Sequence, residues 1–100
     1  MVVHIVMWTL KDFAEGRTKE ENAVLLQKRL EELKNSIPEI KHIEAGRNFN
    51  NSPAAYDVVL YSEFSDKEGL AAYQIHPEHQ KVAALVGAVT ESRAVTDYER

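Results

Sequence analysis

The sequence predicts an α+β protein of ferredoxin-like fold, in which a four-stranded antiparallel sheet carries helices on one face. Two observations support this prediction. Strand-like and helix-like stretches follow one another in the order β-α-β-β-α-β, with the last helical stretch broken once by proline. This order is that of the split β-α-β plan, and the chain holds no linker, repeat or low-complexity segment. We therefore expect residues 1–100 to form a single domain.

The first strand is predicted over residues 2–11, where β-branched and aromatic side chains dominate. Both faces of this strand are largely apolar, so both need a cover. Helices of the same chain can cover one face. We expect the other to meet a second copy of the chain, so the open sheet face predicts a homodimer.

The first helix is predicted to begin after Thr18, which forms a capping box with Glu21. Residues 11–17 before it read as a polar connection. Pro38 ends the helical stretch, because the residue before a proline is disfavoured in helical angles. The apolar side chains recur every three or four residues and define one buried stripe: Ala23, Leu26, Leu30, Leu33 and Ile37.

Two further strands follow the first helix. The weaker one is predicted over residues 40–49 and the stronger one over residues 56–64, with an asparagine-rich loop between them. By alternation, Leu60 and Ser62 lie on the core face of the stronger strand.

The end of the chain predicts two consecutive helices and a strand. A second capping box at residues 65–68 opens a short helix that ends near Gln74. Pro77 fits the first position of another helix, which continues to about Ala88. Residues 90–99 alternate well enough to form the last strand.

Composition limits the classes of partner. A net charge of -4 and an isoelectric point near 5.5 argue against binding to nucleic acid or to an anionic membrane surface. No apolar run reaches the roughly 18 residues of a membrane span, and residues 2–10 lack the flanks of a signal peptide. The chain has no cysteine, which fits a reducing compartment. We expect a cytoplasmic protein with neither a nucleic-acid nor a membrane partner.

Polar side chains concentrate between Tyr73 and His79. His79 falls in the first turn of the third helix, where free backbone amides and the helix dipole disfavour an imidazolium ion. A neutral imidazole near pH 7 can take a proton from a carbon beside a carbonyl, so His79 is the candidate base. The alternative is a histidine that bonds to the backbone at a helix start. His76 precedes the proline, and we expect it to stabilise the turn.

Five segments resemble the stress-responsive A/B barrel (Dabb) domain family. They are His4–Asp12, Ile37–Ile40, Tyr56–Phe64, Tyr73–His79 and Asp97–Tyr98. Together they extend over nearly the whole chain in the family's order. The resemblance implies an α+β dimer whose two sheets form a barrel, with no metal or cofactor required by the motifs.

The polar pattern is similar to that of the family's cyclase-like members, such as olivetolic acid cyclase, which closes a linear polyketide by aldol condensation. This resemblance implies that His79 is catalytic and that Tyr73 orients or polarises the substrate carbonyl. It implies as well that Asp97 accepts a hydrogen bond from His79 and leaves the other ring nitrogen free as the base. On the residues alone, the alternative for Tyr73 is an aromatic anchor whose hydroxyl finds a partner. Asp97 is equally a strand-end carboxylate in water.

The resemblance places a ligand pocket between the sheet and the helices. His4 would contact a polar ligand group there, although a lone histidine on an apolar face is more often a hydrogen-bonded core residue. Leu26, Leu30, Trp8 and Ser62 differ from the cyclase, which predicts another pocket shape and argues against the polyketide as substrate. A small aromatic or carbonyl-bearing ligand remains the expectation. The expected ligand-binding residues are His4, Val6, Trp8, Leu26, Leu30, Leu60, Ser62 and His76.

Motifs for cofactors are absent. His76, Glu78 and His79 stand across a proline corner and do not match zinc-ligand spacings, so we expect no metal centre. A loosely held divalent cation at the dimer interface stays open. Isolated glycines give no phosphate loop, and no serine stands in a nucleophile elbow.

Three functions are consistent with these observations, and the sequence leaves open whether the protein is an enzyme. The first is a dimeric barrel that binds a small apolar or carbonyl-bearing molecule, with cyclase- or lyase-type proton transfer. The second is a non-enzymatic stress-responsive protein whose useful property is its stable dimer. The third is a monooxygenase-like barrel without a cofactor.

Overall fold

A computed structural model describes residues 1–100 and has the predicted four-stranded antiparallel sheet with helices on one face. The helices are α1 (Lys19–Glu32), α2 (Lys67–Ile75) and α3 (Pro77–Val89). The strands are β1 (Val2–Leu10), β2 (Phe13–Ala14), β3 (Arg17–Thr18), β4 (Ile40–Arg47), β5 (Val58–Phe64) and β6 (Thr90–Glu99).

The sheet has the order β4-β5-β1-β6, so β1 is central and β6 forms an edge. Residues directly opposite each other in an antiparallel pair share a face. His4 lies opposite Asp97, and Trp8 lies opposite Arg93. The register thus brings side chains that are almost the length of the chain apart onto one face of the sheet.

Helix α1 begins as predicted and covers the centre of the sheet. Thr18 accepts a hydrogen bond from the amide of Glu21, and the Glu21 carboxylate accepts one from the amide of Thr18. Such a cap stabilises a helix by about 1 kcal/mol. A short 3-10 turn over Leu33–Asn35 extends the helix, and Leu26 and Leu30 are buried against the sheet.

The connection between β1 and α1 forms a small hairpin, which the sequence did not predict. Strands β2 and β3 pair over two residues each, around Glu15 and Gly16 in left-handed backbone conformations. Asn22 of α1 is fully buried and donates to the carbonyl of Ala14, while Arg17 donates to its side-chain oxygen. Two-residue strands are too short for an alternating pattern, so the hairpin leaves no periodic signal.

A single residue separates helices α2 and α3. His76 is the C-cap of α2 and the N-cap of α3, and its Nδ1 accepts a hydrogen bond of 3.1 Å from the amide of Glu78. Pro77 occupies the first position of α3, as predicted. The corner fixes the end of one helix against the start of the next.

The two faces of the sheet are covered unequally. Most buried apolar side chains lie between the sheet and the helices. The opposite face exposes 36% of Val59 and 44% of Tyr98. On the helix side the edge strand is also poorly covered, since Val95 remains 48% exposed. No helix is both long and apolar enough to cross a membrane.

Candidate functional site

A cavity of about 320 Å³ lies between the sheet and α3, on the side of the edge strand. Strand β1 contributes His4, Val6 and Trp8 to its wall. Helices α2 and α3 contribute Tyr73 and His79, which face each other across the corner. Leu30 and Leu60, both expected at the site, belong to the apolar part of the wall, together with Ala83 and Val86 of α3.

A second concavity of about 560 Å³ lies at the opposite sheet face. The loop that contains Phe49 forms part of its wall, together with Met7 and Val59. It has no histidine and no carboxylate in its lining. Proton chemistry is therefore better served by the smaller cavity.

Tyr73 and His79 are in direct contact. Their ring centroids are 4.5 Å apart and their planes are inclined by 57°. The Tyr73 ring also packs on Phe64, at 5.0 Å between centroids, and only 1% of the residue is exposed. Packing from both sides fixes the phenol at one end of the cavity.

The Tyr73 hydroxyl is suited to donate a hydrogen bond. Burial raises the pKa of Tyr73 to about 12, because a phenolate would lose its hydration. The phenol therefore stays protonated at neutral pH, and no side chain or carbonyl of the protein is bonded to it. It is available to the oxygen of a ligand.

The imidazole of His79 is suited to accept a proton. Burial lowers the pKa of His79, and the electrostatic influence of His4, Arg93 and His76 lowers it further. The backbone of Gln74 acts in the opposite direction but does not outweigh them. His79 is thus neutral at pH 7, and its buried Nδ1 makes no hydrogen bond within the chain.

Asp97 is paired with His4 and not with His79, which corrects the expected pairing. The Nδ1 atom of His4 and the Oδ1 atom of Asp97 form a hydrogen bond across β1 and β6. The carboxylate accepts the Nδ1 proton and leaves Nε2 of His4 free to accept. The register of β6 against β1 decides this pairing, and the spacing of residues in the sequence does not reveal that register.

The remaining expected residues lie away from the cavity wall. Leu26 is completely buried in the core between α1 and the sheet. Ser62 is also completely buried, and its hydroxyl donates to the carbonyl of His4 at 3.0 Å, so it supports that strand. His76 serves as the helix cap, the turn role expected for it.

Two polar residues of the cavity were missing from the expected set. Thr90 and Arg93 of β6 belong to its wall. Alternation along β6 puts Arg93 on the same side as Asp97, but it does not distinguish an arginine beside a cavity from one in solvent. No group of three or more histidine or carboxylate side chains is arranged to hold a metal ion.

A family model described as the stress responsive A/B barrel domain matches residues 2–100. The chain belongs to this family. A search of curated proteins found no match. Among solved structures, a dimeric protein of unknown function and ferredoxin-like fold from Bacteroides fragilis is 32% identical. The match covers 99% of this chain and 95% of that one, with a TM-score of 0.80, which confirms the fold prediction.

Two enzymes have the same fold at lower identity. The hydroxynitrile lyase from Passiflora edulis is 18% identical, with a TM-score of 0.82 and coverage of 97% of this chain and 90% of that one. An antibiotic biosynthesis monooxygenase is 16% identical, with a TM-score of 0.73 and coverage of 100% and 98%. At these identities the likeness shows the fold alone.

Proposed function

We propose that the protein is a homodimeric A/B barrel that binds a small carbonyl-bearing molecule and catalyses cyclase- or lyase-type proton transfer. The observation that carries this proposal is the contact of Tyr73 with His79 at 4.5 Å in the wall of one cavity. Enolisation of a carbonyl compound requires a base and a hydrogen-bond donor to the oxygen, and a neutral imidazole and a protonated phenol can serve as these two groups.

Each group has one task in this reaction. His79 takes a proton from the carbon next to the ligand carbonyl and becomes an imidazolium ion. Tyr73 donates a hydrogen bond to the carbonyl oxygen, where the negative charge of the enolate develops. The enolate then attacks a second carbonyl of the same molecule or expels a leaving group. The imidazolium returns its proton to the resulting oxyanion or leaving group.

The homodimer is proposed to form through the sheet face that the helices leave open. Val59 and Tyr98 are exposed there, and Ile5 and Met7 are only half-buried. The relative from Bacteroides fragilis is described as dimeric. A stable interface of this kind buries about 800 Å² on each partner.

The same open face supports a second candidate function, a stress-responsive protein whose useful property is the dimer itself. This candidate predicts no chemistry at the cavity. Replacement of His79 distinguishes the two candidates. It should abolish catalysis if the protein is an enzyme and should have no effect on function if the protein is a purely structural dimer.

Deuterium exchange tests the proposed chemistry without knowledge of the natural substrate. Acetophenone in deuterated buffer at neutral pH exchanges its methyl protons when a base and a carbonyl donor act on it, and proton NMR follows the loss. We expect wild type to accelerate this exchange and His79→Gln to reduce it by about 100-fold. His42→Gln is the matched control, since His42 is exposed and remote from the cavity. Equal rates for wild type and His79→Gln would favour the structural candidate.

A further inference from the structure

Arg93 is the one arginine, lysine or carboxylate residue in the wall of the cavity. It stands on the exposed edge strand β6, and its side chain makes neither an ion pair nor a hydrogen bond within the chain. Three of the other four arginines bond to a side-chain oxygen of the chain, and only Arg29 shares this unpaired state. Arg93 therefore supplies the one permanent charge of the cavity wall, and that charge is positive.

A second unpaired donor belongs to the same part of the wall. Trp8 lies directly opposite Arg93 in the β1–β6 register and lines the same cavity. Its indole Nε1–H is enclosed and has no acceptor within the chain. A buried donor without a partner costs free energy, and an acceptor brought by a ligand can recover it.

The positive charge of Arg93 reaches the reactive end of the cavity. It is among the groups that lower the pKa of His79, after burial. Arg93 and the Tyr73–His79 pair consequently border the same cavity. A single ligand can meet the cation at one end and the base at the other.

We propose that the cavity is selective for small carboxylate-bearing ligands, with Arg93 as the residue that binds the carboxylate. This inference rests on the proposed function, in which the same cavity presents the carbonyl end of the ligand to Tyr73 and His79. The guanidinium fork matches the two oxygens of a carboxylate. Trp8 contributes the neighbouring N–H.

Size and charge argue for a carboxylate of modest dimensions. A volume of about 320 Å³ equals the liquid volume of about ten waters, so the ligand has roughly ten non-hydrogen atoms. A phosphate monoester would bring nearly two negative charges, and the cavity offers it one permanent cation and a largely apolar wall. An aromatic or branched acid with one carboxylate fits better.

A matched ligand pair tests this selectivity with the intact protein. Phenylacetate has ten non-hydrogen atoms, and phenylacetamide has the same shape without the charge. Trp8 is the only tryptophan, so its fluorescence reports occupancy of the cavity directly. We expect phenylacetate to bind at least tenfold more tightly than phenylacetamide. Arg93→Gln should weaken phenylacetate to the level of the amide and leave phenylacetamide unchanged, while Arg29→Gln should retain the wild-type preference.

The other outcomes separate the two proposals. Equal binding of acid and amide by wild type would overturn the carboxylate selectivity and leave the carbonyl-binding cavity standing. Equal weakening of both ligands by Arg93→Gln would assign Arg93 a structural role and overturn the inference. Tighter binding of phenyl phosphate than of phenylacetate would assign the site to phosphate esters. If neither phenylacetate nor phenylacetamide binds, while thermal unfolding shows a folded protein, both the inference and the proposed ligand class are overturned.

Discussion

His4 on the central strand and Asp97 on the edge strand form a hydrogen bond between Nδ1 and Oδ1, and only 3% of His4 is exposed. The bond lies within the third residue pair of the β1–β6 ladder, and His4 belongs to the wall of the cavity. It gives the imidazole of His4 a fixed orientation, with Nε2 free to accept.

Asp97→Asn should destabilise the protein, because the buried imidazole loses an anionic acceptor. Hydrogen bonds to charged groups contribute about 1.5–3 kcal/mol, and the 42% exposed side chain of Asp97 places the expected loss near 1 kcal/mol. Urea unfolding measures it. Asp12→Asn is the control, since the Asp12 carboxylate is fully exposed. A double-mutant cycle with His4→Gln should show coupling, and strict additivity would contradict the pairing.

Tyr73→Phe should separate catalysis from stability. The phenol ring supplies the packing on Phe64, while its hydroxyl has no partner within the chain. We expect the free energy of unfolding to change by less than about 0.5 kcal/mol and acetophenone exchange to fall about 100-fold. Tyr73→Ala is the contrasting variant, with a loss of about 3–5 kcal/mol from the cavity it creates. Unchanged exchange in Tyr73→Phe would remove the phenol from the mechanism.

Because the pKa of His79 is lowered in the folded protein, the free energy of unfolding should decrease as the pH falls. Between the folded pKa and the ordinary histidine pKa of 6.5, the unfolded chain binds more protons at this position than the folded one. Stability from His79 is therefore complete above pH 6.5 and is lost as the pH falls through the folded pKa. Urea unfolding between pH 5 and 7.5 should show a slope of at most about 1.4 kcal/mol per pH unit from one such group.

Two variants isolate that slope. His79→Gln should flatten the pH dependence between pH 5 and 6.5, and His42→Gln on the exposed strand should leave it as in wild type. The exchange rate should rise with pH through the same low pKa and level off by pH 7. A rate that keeps rising above pH 7.5 would mean that a group other than His79 is the base.

Val59→Lys should dissociate the proposed dimer. The side chain lies on the open sheet face, where a lysine would bring an unpaired charge into the interface, at a cost of several kcal/mol. Sedimentation at micromolar concentration should give the dimer mass for wild type and the mass of one chain, 11.4 kDa, for the variant. Val24→Lys is the matched control, because Val24 is 49% exposed on α1. A monomeric wild type would refute the dimer.

The main elements of the fold were predictable because their signals are local. The capping box of Thr18 and Glu21, the apolar stripe of α1 and Pro77 at the start of α3 each depend on a few neighbouring residues. The hairpin of β2 and β3 was not predictable, since it depends on two left-handed residues and on the buried Asn22. Local propensity gives no information about such tertiary support.

The sequence predicted which residues belong to the site better than it predicted which of them form hydrogen bonds with each other. Tyr73 and His79 meet as a six-residue spacing across a helix corner allows. The partner of Asp97 depends on the register in which β6 pairs with β1. An exposed edge strand has no clear apolar face, so its sequence does not specify that register. Arg93 was missed because a charged residue on such a strand resembles an ordinary solvent-facing one until the cavity beside it is known.

Because α2 and α3 meet directly at His76, the number of residues between Tyr73 and His79 decides whether both side chains face the cavity. Because one residue caps both helices, no slack separates α2 from α3. Each added residue in a helix turns the following side chains by about 100° around its axis. A one-residue insertion after Pro77 would leave composition, charge and both helices nearly intact and yet rotate His79 out of the cavity. Residues 49–55 contribute nothing to the cavity wall, so related chains that keep this chemistry should vary in length there and keep the corner at constant length.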